Sequence, residues 1–434
     1  MKAQLFLLAC AANAALAGTA AAQAGDATRG LGSLTADDPL EADDRYVTVR
    51  ERRHPEWEAE PIRFDSLELM PQLAASTGYD DNLFATRTQR VGDAFLTVRP
   101  RLTLTRPSPN LRLVLDATAD LTRYARRTSE NVTDYALEGR ADYRISQATR
   151  FDLALTHARA AEERVSPDSP SGVIRPNRFT VSQAAATISH GINRLRLRGG
   201  FDIERRDYRD GETPAGIEVD QDFRDRTTIT ATGAAEYALS PSVALFGAAS
   251  FNRRDYRERQ GLVPARDSQG YELALGTTFD LGQRMRGSVR AGYLKQDYRD
   301  SFFRDIDGLL VRGEVAYLAT SLLTLTASVD RSVSETGILG AAGYLKTVTS
   351  LRADYELLRN LILSAEVERE QRDYVDLTRE DDRWTLRGSA SYRLSRRVAL
   401  NAGFQHRNQS STGTSAGREF EKTRFSLGVT LTGM

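Results

Sequence analysis

Cysteine and histidine are nearly absent from this 434-residue chain. The one cysteine is Cys10, and the four histidines are widely separated. A lone cysteine forms no intramolecular disulfide, and isolated histidines give none of the spacings of a zinc site or an HExxH motif. No glycine-rich phosphate loop and no nucleophile–base arrangement is recognisable either. The sequence therefore predicts a protein that is not an enzyme and that uses no cofactor or metal.

Net charge and long apolar runs are also missing. Lysine plus arginine and aspartate plus glutamate both number 59, which leaves a formal net charge of zero. Proteins that bind nucleic acid carry a basic stripe, so this balance argues against such a partner. After the N-terminus no stretch approaches the roughly 20 apolar residues that a membrane-spanning helix needs. A helical bundle is therefore excluded, whereas a membrane β-barrel needs apolar residues only at alternate positions.

The first 24 residues have the layout of a secretory signal peptide. Lys2 precedes an apolar stretch, and Ala22-Gln23-Ala24 forms an A-x-A cleavage site. Leu7-Leu8-Ala9-Cys10 resembles a lipoprotein box, but the apolar stretch before the cysteine is too short and continues beyond it. Cleavage after Ala24 leaves a mature chain without cysteine.

Residues 25–66 differ from the rest of the chain. They are rich in aspartate, glutamate and arginine, include Pro39, Pro55 and Pro61, and show no sustained alternation. We expect a periplasmic extension that is partly disordered. Both a tether and a docking segment are consistent with this composition.

From residue 67 to residue 434, apolar and polar residues alternate. In the clearest copy, Leu195 and Leu197 share one face, and Arg196 and Arg198 hold the other. A period of two is that of a strand with two unlike faces. Repeated over more than 350 residues behind a secretion signal, it predicts an all-β, transmembrane, antiparallel up-and-down barrel with lipid outside and water inside.

Turn lengths give this barrel a strand number and an orientation. We count eighteen strand-like segments; both chain ends fall on one side, so the number must be even, which sixteen also satisfies. Outer-membrane barrels have short periplasmic turns and long outer loops. We therefore expect a protein of the Gram-negative outer membrane, surrounded by its lipid, with N- and C-termini in the periplasm. Short turns are predicted at 190–193, 239–242, 281–284, 319–321, 358–360 and 395–397, and long loops at 163–177, 209–221, 258–267 and 334–343.

An aromatic residue recurs just before the short turns, on the apolar face of its strand. Amphipathic rings at the lipid boundary form the aromatic girdle of membrane barrels. The six positions are Tyr143, Tyr237, Phe279, Tyr317, Tyr355 and Tyr392.

The opposite face carries mixed charge and predicts a hydrated lumen. At about eighteen strands a barrel is wide enough for an aqueous channel unless a loop or extension fills it. A lumen closed by salt-bridged side chains is the alternative. The predicted lining residues are Arg196, Arg198, Glu204, Arg286, Arg290, Arg312, Glu314, Glu366, Glu368 and Arg387.

A second aromatic repeat, mostly of the form Arg-Asp-Tyr, lies at the other end of the strands and on the lumen face. Aromatic faces and arginine forks suit sugar rings and acidic saccharides, which predicts a saccharide-contacting ring at the outer mouth. An outer girdle whose register a bulge has shifted would give the same pattern. The residues of the predicted ring are Tyr124, Arg206, Tyr208, Arg254, Tyr256, Tyr298, Arg372 and Tyr374.

The start of the repeat region carries a recognisable motif. Residues 52–57 (RRHPEW), residues 69–71 (LMP) and the box Tyr79-Asp80-Asp81-Asn82 resemble the β-barrel porins found in proteobacterial exopolysaccharide clusters. The resemblance implies an outer-membrane barrel linked to exopolysaccharide export and partnered by a periplasmic polysaccharide-export protein. By itself the box reads as an acidic turn that ends the first strand. The chain departs from most barrels in its last residues, VTLTGM (429–434), which lack a terminal aromatic residue.

The sequence thus favours an outer-membrane channel that passes or assists export of an extracellular polysaccharide through a hydrated polar lumen. A diffusion porin for small solutes is the second hypothesis, and a structural or adhesive barrel with a closed lumen is the third. Porins constrict the lumen with a long inward loop, for which residues 163–177 are the candidate. A wide lumen favours export, and a narrow constriction favours the porin.

Overall fold

The computed structural model describes residues 47–433 of the chain, apart from Ser171 and Gln283. The predicted signal peptide and the first part of the predicted extension lie outside the described residues. Within the described chain, no helix is long and apolar enough to span a membrane. Most of the structure is β-strand.

Eighteen long antiparallel strands form one closed barrel, which confirms the predicted fold class and strand number. The barrel closes because the last strand pairs with the first, from Gln72 opposite Thr432 to Asp80 opposite Arg424. Three shorter strands complete the described set; β1 pairs with the start of β2, and β9 and β10 form a small ribbon within one loop. The strands are β1 (Ile62–Phe64), β2 (Leu67–Asp80), β3 (Asp93–Arg106), β4 (Leu111–Tyr124), β5 (Val132–Arg144), β6 (Thr149–Ala161), β7 (Arg178–Ile192), β8 (Leu195–Tyr208), β9 (Gly211–Glu212), β10 (Glu218–Val219), β11 (Arg226–Ser240), β12 (Val243–Tyr256), β13 (Ser268–Leu281), β14 (Met285–Tyr298), β15 (Ile306–Thr320), β16 (Leu323–Glu335), β17 (Gly343–Leu358), β18 (Leu361–Tyr374), β19 (Glu380–Arg393), β20 (Val398–Thr412) and β21 (Phe420–Thr432).

The connections between barrel strands alternate between short and long. On one side of the barrel, called the turn end, eight turns of two to four residues join the strands, and both ends of the described chain lie there. On the other side, called the loop end, nine loops of five to seventeen residues join them. Every short turn and long loop predicted from the sequence falls on the side expected from its length.

The alternation places apolar side chains outside and polar ones inside. On β8, Leu197 and Phe201 are exposed on the outer surface, whereas Glu204 and Tyr208 are buried inside. Large apolar side chains exposed along the whole wall form the surface that meets lipid. The predicted girdle residues share this outer face near the turn end, with the side chain exposed in all but the partly exposed Phe279: Tyr143, Tyr237, Phe279, Tyr317, Tyr355 and Tyr392.

One part of the wall folds inward at the loop end. The ladder between β15 and β16 extends no closer to the loop end than Val311 opposite Arg331. Beyond this point β16 stays paired with β17, as far as Glu335 opposite Gly343, but not with β15. The upper part of this β16–β17 hairpin, residues 332–345, is therefore free to bend into the barrel, and we call it the inward hairpin.

An apolar core holds the inward hairpin against the wall. Val333 and Leu345 of the hairpin cluster with Leu294, Ile306 and Leu310, which are buried on the inner face of β14 and β15. Burial of such side chains is the main force that keeps a segment packed. The core of this barrel thus lies inside its lumen, under the loop end.

Candidate functional site: the lumen and its two constrictions

The inner wall carries charged residues that neutralise one another along the wall. Arg387 donates to Glu366 at 2.5 Å and to Glu368 at 3.1 Å on the adjacent strand, and Arg312 pairs with Asp330 of the next strand. Pairs of this kind balance charge between neighbouring strands of the wall. The predicted lining residues all lie on this inner face: Arg196, Arg198, Glu204, Arg286, Arg290, Arg312, Glu314, Glu366, Glu368 and Arg387.

The end of the predicted extension enters the lumen at the turn end. Residues 47–54, called the strap, lie against the inner wall formed by β14, β16 and β17. The Arg50 Nε atom donates to the Asp354 carboxylate at 2.9 Å, and the Arg52 Nη1 atom donates to Glu356 at 2.5 Å. Both carboxylates are almost fully buried. A buried carboxylate is unfavourable without a positive partner, and Arg50 and Arg52 provide that partner for Asp354 and Glu356.

Two further contacts fix the strap. The backbone N–H of Val49 donates to the Thr324 hydroxyl at 3.1 Å, and Glu51 accepts a hydrogen bond from Arg286. The Val49 side chain is 1% exposed. Part of the extension is thus docked inside the barrel's own lumen, a use that its composition did not reveal.

At the loop end, residues 162–177 fold across the lumen rather than outward; we call them the constriction loop. On one side Glu162 forms a bidentate pair with Arg224, at 2.8 and 3.1 Å. On another side Glu163 accepts from Arg407 of β20 at 2.8 Å. Because β20 and the loop before β11 lie on different parts of the wall, these pairs tie the loop to both.

Additional contacts hold the same loop. Arg164 makes a two-point pair with Glu130 at 2.8 and 3.0 Å, and the Arg383 guanidinium of β19 donates to the Val165 carbonyl oxygen at 2.7 Å. A loop anchored at this many points keeps one position. The long loop chosen from sequence as the constriction candidate does lie in the lumen.

The inward hairpin meets the constriction loop near the centre of the mouth. Its residue Glu335 accepts hydrogen bonds from Arg254 and Tyr256 of β12, on another part of the inner wall. The Asp168 carboxylate of the constriction loop accepts from the Thr336 hydroxyl at 2.5 Å and from the Gly337 N–H at 2.8 Å. Two inward segments thus support each other across the lumen.

Electrostatics reinforce the constriction loop. The Arg407 guanidinium lowers the pKa of Glu163 to about 2, although burial opposes this shift. Arg224 keeps a raised pKa despite its burial, because Glu162 lies against it. Glu163 and Arg224 therefore both stay ionised over the physiological pH range.

The predicted tyrosine ring lies inside the barrel at the loop end, but its ring faces are covered. The Arg224 guanidinium lies 4.0 Å from the Tyr208 ring centroid, and Tyr374 packs on Tyr344 at 4.9 Å. Tyr208, Tyr256, Tyr298 and Tyr374 are each less than one-tenth exposed. A sugar would have to displace these neighbours to stack, so saccharide contact by the tyrosines stays a prediction.

The remaining members of the predicted ring are also engaged. Tyr124 packs edge-on against Phe95 at 6.2 Å, and Tyr298 lies 5.9 Å from Phe303. Arg372 pairs with Glu370 at 2.6 Å on the same strand. The ring is therefore part of the packing beneath the loops.

The acidic box joins the first strand to the last. Asp80 is buried and pairs with Lys422 at 2.9 Å, and Asp81 accepts the backbone N–H of Thr423 at 2.7 Å. The Asn82 amide donates to the carbonyl oxygens of Thr86 and Glu421, and Tyr79 projects outward with half of its side chain exposed. The box thus reinforces the β2–β21 seam that closes the barrel.

One group of carboxylates in the described chain has the spacing of a cation site. Ligand atoms of Asp210, Asp220 and Asp222 lie within 4.8 Å of one another in the loop before β11. Asp210 and Asp220 each already accept a backbone N–H. The group is largely exposed, which is common for carboxylates that hold no ion.

Several solved structures are similar to this chain at low sequence identity. Among functionally curated proteins, none matches the chain. Among solved structures, it is similar to OpdL of Pseudomonas aeruginosa, with 16% identity, a TM-score of 0.44 and coverage of 85% of this chain and 99% of that chain. It is also similar to OccK2 (OpdF) of the same organism, with 14% identity, a TM-score of 0.45 and coverage of 84% and 98%. A third similar structure is a mutant of its ferric enterobactin receptor PfeA, with 8% identity, a TM-score of 0.46 and coverage of 86% and 81%.

A family model gives the assignment. The model described as Putative beta-barrel porin 2 matches residues 54–432, from the end of the strap to the last residue of the final strand. The eighteen-stranded barrel and its lipid-facing apolar surface are those of an outer-membrane porin-like channel. The chain belongs to the Putative beta-barrel porin 2 family.

Proposed function

We propose that this protein is a diffusion channel for small polar solutes. The observation that carries the proposal is the constriction loop, which ion pairs with Arg224 and Arg407 hold across the lumen. A pore narrowed by a fixed loop excludes solutes by size, while the charged inner wall keeps the passage hydrated.

The orientation follows from the connections. Outer-membrane barrels place short turns in the periplasm and long loops outside. The turn end of this barrel, with the strap and both described chain ends, then faces the periplasm, and the constriction loop lies near the outer mouth.

Export of an extracellular polysaccharide, with a periplasmic export protein as partner, fits this geometry less well. A polymer chain would have to pass the constriction loop, the inward hairpin and the strap, and each of the three is held by buried contacts. Export therefore requires rearrangement at both ends, whereas diffusion of a small solute requires less.

Swelling of liposomes that contain the full-length protein tests the proposal. Sugars of increasing size are applied outside, and the swelling rate reports their entry. We expect monosaccharides to enter and long dextrans to be excluded. Entry of dextran at rates near those of glucose would overturn the proposal in favour of a polymer conduit, and no entry of any sugar would favour a closed structural barrel.

A further inference from the structure

Exposed arginines accompany the short turns at the turn end of the barrel. The turns contain no aspartate or glutamate and comprise residues 107–110, 145–148, 193–194, 241–242, 282–284, 321–322, 359–360 and 394–397. Five exposed arginines without a partner lie in these turns or directly beside them, each at a different turn. We call them the turn-end arginines: Arg106, Arg194, Arg284, Arg359 and Arg397.

The turn-end arginines have no counter-charge. Within the part of the chain that the structure describes, none of the five guanidinium groups forms a hydrogen bond or lies within ion-pair distance of a carboxylate. Two neighbouring arginines are not counted among them: Arg396 pairs with Glu60 at 2.7 Å, and Arg144 has the inner parity of β5. Unneutralised cations at a surface attract anions.

Exposed carboxylates at this end of the described chain are few and lie on one side. Glu56 and Asp65 have no arginine partner, whereas three other glutamates of this region each pair with an arginine. Asp65 lies in the turn between β1 and β2, and the Glu56 carbonyl oxygen accepts from Arg396, so both lie beside β2 and β20. They leave Arg194 and Arg284, on other parts of the circumference, uncompensated.

The hairpins that carry the turn-end arginines are spread around the whole barrel. They are the β3–β4, β7–β8, β13–β14, β17–β18 and β19–β20 hairpins. Around the closed sheet, no more than two strands separate one of these hairpins from the next. A protein partner or a single peptide segment covers one side of such a circle, whereas membrane lipid surrounds all of it.

The same arginines lie just beyond the aromatic girdle. Arg284 follows Phe279 by five residues, and Arg359 follows Tyr355 by four. Girdle rings lie at the level where hydrocarbon gives way to lipid headgroups. An arginine side chain near this level extends its charged group into the headgroup layer. The turn-end arginines are therefore within reach of lipid phosphates.

The outer wall at the loop end differs from the turn end. Arginines on the outer face there have a carboxylate partner on the same face, so their charge is already balanced. The pairs are Arg205–Asp207 at 3.9 Å, Arg253–Asp255 at 2.9 Å and Arg369–Asp382 at 2.9 Å.

We propose that the turn-end arginines bind the phosphate groups of anionic phospholipids in the adjoining leaflet. A guanidinium forms charge-assisted, two-point hydrogen bonds with a phosphate, and basic groups beside a membrane are attracted to anionic headgroups. In the proposed orientation that leaflet is the periplasmic one. The interaction does not depend on which solute passes through the lumen.

Electron paramagnetic resonance of the full-length protein in phosphatidylcholine vesicles tests the proposal. The probes are spin-labelled phosphatidylglycerol and spin-labelled phosphatidylcholine, and the immobilised fraction of each gives its association with the protein. We expect phosphatidylglycerol to associate at least about twofold more strongly. This preference should fall in about 0.5 M salt, because exposed charges are screened. Equal association of the two lipids would overturn the proposal.

Variants of the turns show whether the arginines cause the preference. Arg194→Gln/Arg284→Gln/Arg359→Gln removes three of the five charges and should abolish most of it. Replacement of the same three residues by lysine keeps the charges and should retain most of it, because attraction to an anionic surface depends on charge. An unchanged preference in the glutamine variant would contradict the assignment.

A control at the loop end tests the location. Arg253→Gln/Asp255→Asn/Arg369→Gln/Asp382→Asn removes two ion pairs from the outer face without a change in net charge. The lipid preference should stay the same, and circular dichroism checks that every variant keeps its strand content. Loss of the preference in this variant would place the lipid site at the loop end instead.

The acidic residues 25–46, which lie outside the described part of the chain, are the competing occupant of the turn-end arginines. Their deletion from the otherwise intact protein separates the two. A lipid preference of the same size with and without this segment supports the proposal. A preference that appears only after the deletion would assign the arginines to the acidic segment and overturn the proposal.

Discussion

The two ends of the lumen are narrowed in different ways. At the turn end, a single strap docks on one side of the wall, through Arg50, Arg52 and their neighbours. At the loop end, the constriction loop and the inward hairpin contact different parts of the wall and also each other. The strap can leave the lumen once its single set of wall contacts is lost. The constriction loop and the inward hairpin stay in place when one contact is lost, because the other contacts of the network remain. The strap is therefore the more easily released of the two.

The largest effect is expected from shortening the constriction loop. Replacement of residues 165–175 by two glycines removes the part of the loop that crosses the lumen, so single-channel conductance should rise severalfold and larger sugars should enter liposomes. Deletion of the exposed tip of the neighbouring ribbon, residues 214–216, is the matched control and should leave conductance unchanged. Equal conductance of the shortened and native channels would show that this loop does not limit passage.

Release of the strap should have the next largest effect. The Arg50→Ala/Arg52→Ala variant leaves Asp354 and Glu356 buried without these partners, at a local cost of roughly 2–4 kcal/mol. In a Val49→Cys background, whose buried position protects the thiol, the double substitution should speed maleimide labelling by at least about tenfold. Conductance should rise by less than it does when the constriction loop is shortened.

A control for the strap comes from the same segment. Arg53 is exposed and pairs with Glu58, a residue close in sequence, so Arg53→Ala should leave the labelling rate unchanged. Slow labelling in the double variant would mean that packing of Val49, and not the ion pairs, holds the strap.

Removal of the hydrogen bonds between the constriction loop and the inward hairpin should have a smaller effect on conductance. Asp168→Ala removes the acceptor of the Thr336 and Gly337 hydrogen bonds, a loss of about 1 kcal/mol. We expect an unchanged mean conductance with more frequent brief fluctuations in single-channel recordings, because the other anchors remain. Asp210→Ala in the exposed carboxylate group should add no such fluctuations, and a large rise in mean conductance for Asp168→Ala would contradict the network description.

The smallest expected effect is that of mildly acidic pH on the Glu163–Arg407 pair and on conductance. A carboxylate with a lowered pKa contributes stability that is present above its unfolded pKa and is lost as the pH falls through the folded value. For Glu163 the folded value is about 2, so its pair with Arg407 remains intact in mildly acidic solution. The ratio of Glu163→Gln to native conductance should therefore be constant between about pH 7 and about pH 4. A ratio that approaches one within this range would show that Glu163 is protonated there.

The sequence predicted the wall well because strand periodicity and turn length are local properties. The first barrel strand starts at the predicted Leu67, and the number of strands is the predicted eighteen. The alternation of apolar and polar residues along β8 also correctly predicted that Tyr208 and Glu204 lie on the inner face. These predictions need no knowledge of what lies across the lumen.

The contents of the lumen depend on contacts between distant parts of the chain. By the alternation along their strands, Val333 and Leu345 are expected to face lipid. Both are nevertheless buried, because the end of β16 separates from β15 and turns into the barrel. Arg224 lies in a loop, where alternation gives no direction. Arg226 has the inner parity and could have been included in the predicted ring, since it continues the Arg206 face onto the next strand.

The strap has a consequence for the order of assembly. Its partners Asp354 and Glu356 are each 304 residues away along the chain, on a strand that is among the last five of the barrel. Loop closure over such a distance is unfavourable until other contacts bring the ends together. The strap therefore docks late, after β17 has joined the sheet, and a docked strap reports that most of the wall is already in place. The strap, which is synthesised before every strand of the barrel, is thereby among the last segments to reach its native position.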